Sequence, residues 1–265
     1  MAVRSRAWCA RVGRRRRGRG AVTMRDLRER LLTVMDGKDH WAWKQLTGPG
    51  LTREQLLAHF RHEYLTYVRD FPVLLARVLG QGPPPDVRTD LAANIYEEQT
   101  GGLSFGVPHP ELFLEMMSGL GFSREQLEST EGLRPEAIAY RAFLDKVSAA
   151  APWIVGAAVL TIFVEGSVHE RAELAGTRQR ADADEVVHKH PMVVHYGCPP
   201  ERMRLVRAHA KVEGGHRADA WRMVLDHATA PDTAEAVVKA VDRAHHLWTR
   251  YRDGVAEAMA SALGD

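Results

Sequence analysis

The stretch "LVRAHAKVEGGHRADAW", residues 205–221, places His209, Glu213 and His216 at intervals of four and three within what reads as one helix. At 3.6 residues per turn these positions fall within about 60° of one another, so a helix carries two imidazoles and a carboxylate on a single face. They can meet one object. Gly214 and Gly215 lie inside the same stretch, where glycine costs about 1 kcal/mol relative to alanine. A helix adjustment beside the trio, or room for a ligand, would account for them. Taken alone, the trio also matches a solvated helix face, so the rest of the chain must decide.

Outward from this stretch, helical patterning dominates and strand signals are nearly absent. "MRDLRERLLTVMD" (24–36) spaces its apolar residues helically, and "LTREQLLAHFRHEYLTYVRDFPVLLARVLG" (51–80) opens with Thr52 as an N-cap and should kink or break at Pro72. "QGPPPD" (81–86) is a loop, "VRTDLAANIYEEQ" (87–99) returns to helix, and Ser123 opens a capping box in "SREQLE". Helices continue over 135–149, 153–175, 200–228 and 232–262. No internal repeat and no long linker divides the chain. The expectation is an all-α bundle of about seven to eight helices over residues 24–265.

Composition narrows the classes. With 265 residues, 45% hydrophobic and 26% charged, the chain can bury a full core. The longest apolar run, "WIVGAAVLTIFV" (153–164), falls short of the roughly 20 residues a membrane span needs, so no membrane partner is expected. Cys9 and Cys198 are too few for a disulfide framework or a thiolate metal site, which fits the cytoplasm. The formal charge of +2 conceals eight arginines and no acid within residues 1–23; without them the remainder carries −6. That segment reads as a disordered basic arm or a misassigned start ahead of Met24, and it lacks the apolar centre of an export signal. Nucleic acid is not expected as a partner. A binding protein that used the arm would lose its function with residues 1–23 removed, whereas an enzyme built on the bundle would not.

Other ligand-type residues gather on separate elements. Glu165 ends the most apolar run in the chain, and an unpaired buried carboxylate there would cost several kcal/mol or force its own protonation. Glu97 and Glu98 close "LAANIYEEQ", and His109 follows the glycine-rich "TGGLSFGVPHP" with Pro110 suited to a first helical turn. Acids and histidines projecting from several helices are how bundles build dinuclear carboxylate centres. With three carboxylates, two divalent ions would retain a net charge of about +1, and a donor set of N and O favours iron or manganese.

The segments "HEYLTYVRDFP" (62–72), "AANIYEEQTGG" (92–102), "HPELFLEMMSGLG" (109–121) and the H-x3-E-x2-H helix occur in the order seen in haem-oxygenase-like di-metal oxidases. The chain resembles that group, which is related to pyrroloquinoline-quinone synthase C and thiaminase-II proteins and to the chlamydial-type para-aminobenzoate synthases. The resemblance spans roughly residues 25–260 and implies a haem-oxygenase-like bundle. It also implies the metal-ligand and catalytic set Glu98, His109, Glu165, His209, Glu213 and His216, with Glu98 rather than Glu97 chosen because it lies four residues after Asn94. Glu213 stands where aspartate is frequent. The implied cofactor is two Fe(II), or an iron and manganese pair, with O2 as co-substrate. The implied activity is oxidation of a small amino-acid-like or fatty-acid-like molecule by N-oxygenation, C–C cleavage or oxidative decarboxylation. The self-sacrificing branch is not matched, because Trp43 stands in place of its consumed tyrosine and Ala175 in place of its lysine. The alternative is a metal-free oxidase or hydrolase of the same fold, like the quinone synthase or thiaminase-II members, with His and acid side chains moving protons. Dimerisation is common on this fold, and the sequence neither supports nor opposes a homodimer.

Several residues stay open. His169 follows Glu165 by four and would share its face if the helix continued, as a partner or extra ligand. His188, His190 and His195 in "VVHKHPMVVHYGCPP" suit a loop packed over the site. Tyr64 and Tyr67 are candidate pocket residues, as are Trp41, Trp43, Phe105, Phe163 and Trp221. Cys198 reads as structural.

Overall fold

The helix starts are where the sequence supplies caps. In the computed structural model, Thr23, Thr52 and Ser123 each accept a hydrogen bond from the backbone N–H three residues on, while their own N–H donates to Asp26, Gln55 or Gln126. The structure describes residues 23–46, 48–178 and 182–262, with the side chains of residues 46 and 212–216 excepted. The expected basic arm therefore lies outside the described residues up to position 22.

The helices in chain order are α1 (Met24–Asp36), α2 (Trp43–Leu46), α3 (Arg53–Glu63), α4 (Phe71–Leu79), α5 (Pro85–Thr100), α6 (His109–Gly119) and α7 (Arg124–Glu128). They are followed by α8 (Pro135–Ala150), α9 (Trp153–Ala157), α10 (Glu170–Leu174), α11 (Ala183–Lys189), α12 (Pro191–Val194), α13 (Arg204–His227) and α14 (Pro231–Ser261). No strand occurs among the described residues. Proline in the first turn opens α4, α5, α6, α8, α12 and α14, where its missing N–H leaves no helical bond unmade.

The long helical units read from periodicity are subdivided by identifiable devices. The 51–80 run passes from α3 into a π-helical segment, Tyr64–Val68, and restarts at α4 with Pro72 in its first turn. The 153–175 run passes from α9 into a second π segment, Ala158–Val164, then turns through 165–169 before α10. The histidine-rich 186–200 stretch is not a bare loop. It forms the end of α11 and all of α12, and α11 packs along α13.

Two apolar clusters build the interior. The larger joins faces of α1, α4, α5, α8, α9, the second π segment, α13 and α14 around Leu31, Leu74, Leu91, Tyr140, Phe163 and Tyr251. The smaller joins α3, the first π segment, α6, α11 and the start of α13 around Phe60, Tyr64, Phe113, Met117 and Met203. Helix α14, 31 residues and so about 46 Å long, is the spine against which α8 and α3 pack.

One ion pair crosses this packing. Arg252 on α14 donates from Nη1 to Glu63 Oε2 at 2.6 Å and from Nη2 to Glu63 Oε1 at 2.7 Å, with its guanidinium 4.7 Å from the Trp43 ring centre. The Tyr67 and Tyr251 hydroxyls also donate to Glu63. Burial alone would raise the Glu63 carboxyl, but the Arg252 charge and these hydrogen bonds bring it down to about 2. A depressed folded-state pKa means that the stabilisation is present above the ordinary carboxylate range and is lost as pH falls toward 2. Glu63→Gln is expected to lower unfolding free energy by about 3–5 kcal/mol at pH 7 by leaving Arg252 buried without its counter-charge. Urea melts followed by circular dichroism at pH 7 and pH 3 test this, the gap between wild type and variant narrowing at the lower pH.

Candidate metal centre

The centre starts at the end of α5. Gly101 follows the helix in the left-handed conformation, φ 63°, and its N–H donates to the Glu97 carbonyl. A Cβ on Gly101 would collide with the Val107 backbone, so the loop can fold back over the helix end only with glycine here. The fold-back delivers two donors to the Glu97 carboxylate, the Leu103 N–H at 2.6 Å and the Ser104 hydroxyl. It also starts α6 with the His109 ring directly against α5.

His109 lies between two acids. Its Nε2 is 3.0 Å from Glu97 Oε1, and its Nδ1 is 2.9 Å from Glu98 Oε1. Glu97 is 0% exposed; burial alone would raise its pKa, but the bonds from Ser104, Leu103 and His109 outweigh that and hold it below the ordinary carboxylate range. A carboxylate accepting at Nε2 fixes the proton of a neutral imidazole there and leaves Nδ1 as a bare lone pair. That lone pair faces Glu98 at 2.9 Å without the alignment of a hydrogen bond. Two donor atoms bound at right angles to one ion, each about 2.1 Å from it, stand about 3.0 Å apart. The spacing suits a cation shared by both. Without one, the imidazolium meets the same electrostatic demand: burial opposes its charge, but Glu98 and then Glu97 raise its pKa above the ordinary histidine value.

Helix α13 supplies the next donor. The His209 ring lies 5.2 Å from that of His109 at 64°, and one donor atom from each of Glu98, His109 and His209 lies within 4.8 Å of the others. This group of three, all N and O, fits a divalent ion of the iron or manganese kind.

Glu165 enters the same cavity from the turn after the second π segment. Asn94, one turn before Glu98 on α5, donates from Nδ2 to Glu165 Oε1 at 2.8 Å. The turn is pinned by Lys38, whose ammonium donates to the Phe163, Val164 and Gly166 carbonyls. Burial, reinforced by the Arg217 and Arg252 charges, lowers the Lys38 pKa to about 7. Gly166 lets Met35 and Arg217 approach, where a Cβ would also strike the Ile162 carbonyl. The cavity, about 220 Å³, is lined also by Tyr67, Val68, Phe71, Val164 and Leu205. Phe71 and Val164 belong with the larger cluster and Leu205 with the smaller, so the centre sits on the seam between them.

Of the six expected ligands, Glu98, His109, Glu165 and His209 line this one cavity. The side chains of Glu213 and His216 lie outside the described residues, on the helix that carries His209. His169 does not share a helical face with Glu165, because the π segment ends at Val164. It is exposed at the start of α10 and borders a neighbouring cavity. The His190 side chain caps α12, His188 bonds the Asp184 carbonyl on its own helix, and His195 is exposed. Cys198 is buried in the smaller cluster with its thiol pushed up to about 11, mainly by burial, which makes a poor nucleophile. Tyr67 lines the centre, whereas Tyr64 stacks on Phe113 in the smaller cluster. Trp41 and Phe105 are exposed, Phe163 is core, and Trp43 borders the neighbouring cavity of about 350 Å³ that shares Tyr67 and Val164 with the centre.

Sequence reasoning passed over three contributors. Glu97 was set aside for its neighbour, yet it is the group that orients His109. Lys38 and Arg217 carry no local signal beyond, for Arg217, its place next to His216.

A family model described as iron-containing redox enzyme matches residues 58–249. Among solved structures, a TenA homologue from Pseudomonas syringae pv. tomato aligns with a TM-score of 0.63 at 16% identity, covering 88% of this chain and 92% of that one. At that identity the likeness speaks to the fold alone. No curated protein matches.

Glu97→Gln keeps an acceptor for His109 but removes the charge that fixes its tautomer. It is expected to weaken binding of Mn(II), followed by equilibrium dialysis, about 10- to 100-fold. Unchanged affinity would mean that Glu97 has no orienting role.

Proposed function

The chain belongs to the family of iron-containing redox enzymes with the haem-oxygenase-like fold, and we propose that it is a non-haem di-iron oxidase or oxygenase acting on a small metabolite. The observation that carries this reading is His109. Its Nε2 is committed to Glu97, its Nδ1 faces Glu98 at 2.9 Å without hydrogen-bond alignment, and His209 completes the group. Glu98, His109, Glu165, His209, Glu213 and His216 would hold two Fe(II), or an iron and manganese pair. When bound, such a pair supplies the reducing electrons and Lewis acidity that O2 activation requires.

The chain's own groups have separable tasks. Glu97 holds the His109 proton on Nε2 and turns Nδ1 into the cavity. Asn94 donates to one oxygen of Glu165 and so helps to fix the rotamer of that carboxylate. Lys38 immobilises that turn by satisfying carbonyls that the end of the π segment leaves over. Val68, Phe71, Val164 and Leu205 give the centre an apolar wall.

Anaerobic titration of the full chain with Fe(II) is expected to show uptake of two irons, and rapid mixing with O2 to give a transient visible band and O2 consumption. Glu165→Ala and His209→Ala should each lose stoichiometric uptake and the band. Absence of uptake by the wild-type chain would put the metal-free oxidase or hydrolase reading in place of this one.

A further inference from the structure

The loop from Gly101 to Gly106 is held shut with little apolar packing. Leu103 is 47% exposed and Phe105 37%, so neither of its large side chains is anchored in the two clusters. Its ends are glycines in the left-handed region, Gly101 at φ 63° and Gly106 at φ 68°, and the Ser104 and Gly106 N–H groups both donate to the Gly101 carbonyl. A segment closed by local bonds, with few buried apolar contacts, opens at a small fraction of the cost of global unfolding. Its ties to the helices on either side are polar. On α5, Glu97 Oε2 accepts from the Leu103 N–H at 2.6 Å and Glu97 Oε1 from the Ser104 hydroxyl. On α13, Lys211, two residues past His209, donates to the Ser104 carbonyl at 3.5 Å.

The oxygen that takes the Ser104 hydroxyl is the one that meets the centre. Glu97 Oε1 is also 3.0 Å from His109 Nε2, so the hydroxyl and the imidazole converge on a single atom. With the loop closed, the hydroxyl and the Leu103 N–H hold the two carboxylate oxygens in place, and that plane sets the His109 ring. With the loop open, both of those donors leave. The carboxylate can then turn about its last bond, and Nδ1 is no longer held toward Glu98.

We propose that closure of the 101–106 loop and binding of a divalent ion at the centre are one coupled equilibrium, with Ser104 as the positioning residue that carries the coupling through Glu97 to His109. The closed loop presents Nδ1 in a fixed direction beside Glu98 and His209, so an ion binds that state more tightly than the open one. Linkage makes the effect reciprocal: whatever closure adds to the affinity for the ion, the ion adds to closure. The loop's thin apolar anchoring leaves it near enough to balance for this bias to be visible. The inference rests on the proposed function only in taking the centre to bind a divalent ion, and it does not need the oxidase reaction.

The test is amide hydrogen exchange of the full chain, freed of metal by a chelator, with and without saturating Mn(II), read by mass spectrometry on peptides that span the loop. Mn(II) is expected to slow exchange in 101–106 at least about tenfold, while the separate turn in which the Leu133 N–H bonds Thr130 keeps its rate. Ser104→Ala should weaken Mn(II) binding about tenfold in equilibrium dialysis and reduce the slowing to about threefold or less. Ser104→Thr keeps the hydroxyl and should stay within about threefold of wild type in both readouts, which a loss of loop packing alone would not produce. Loop exchange that ignores bound Mn(II), or a Ser104→Ala chain that binds Mn(II) as wild type does, overturns the coupling. A wild-type chain that takes up no Mn(II) overturns it by removing the centre it rests on. Dialysis separates the two failures, because the first needs bound metal and the second its absence.

Discussion

The structure turns on one requirement: an ionised carboxylate inside an apolar helical bundle needs its oxygens met by hydrogen-bond donors or a positive charge. At Glu97 that requirement organises a whole neighbourhood. Glu97 draws the Leu103 N–H, the Ser104 hydroxyl and the His109 ring onto itself, and the glycine at 101 is what lets the loop close far enough to deliver them. With Nε2 so engaged, the other ring nitrogen is turned toward Glu98 and His209. A structural carboxylate thus creates a ligand position by fixing one proton.

The π segments place the remaining parts. Each inserts an extra residue into a helix lining the seam between the two clusters, and such insertions shift the register of everything that follows by about 100°. The first carries Tyr67 and Val68 into the cavity wall. The second ends at Val164, so that Glu165 leaves the helix on a turn and meets Asn94 across the cavity rather than continuing along a buried face. Lys38 is then required for the same reason that helix ends need caps, because the carbonyls released at Phe163 and Val164 lie where water does not reach them freely.

Much of the architecture was legible because helix starts are local chemistry. Thr23, Thr52 and Ser123 announce their capping boxes, and the proline-led starts at residues 109 and 135 need only the ring's missing N–H, whereas α5 starts at Pro85, inside the stretch read as a loop. The ligand types on α5, α6 and α13 were legible as types. What periodicity misses is register after an insertion: His169 counts as a helical neighbour of Glu165 at 3.6 residues per turn, and a π segment followed by a turn removes it. The histidines of 186–200 look like a site cover by density, but each is accounted for by a cap, a bond within its own helix or exposure. Glu97 and Glu98 are identical in type and adjacent, so only the position of His109 separates the orienting acid from the one facing the cavity.

The buried charges around the centre form a pattern that no single helix could encode. Glu63 is matched by Arg252, Glu170 by Arg217 and Glu97 by His109, each pair joining elements far apart in the chain. In the first pair the guanidinium is bidentate and covered by aromatic rings, which makes it a device of stability. In the second the guanidinium gives one nitrogen to its acid, whose other oxygen accepts from Trp221, so the pair ties α10 to α13. The two arginines thus play different parts. Arg252 closes the core between α3 and α14, and Arg217 holds the start of α10 against the helix that carries His209, in the wall of the metal cavity.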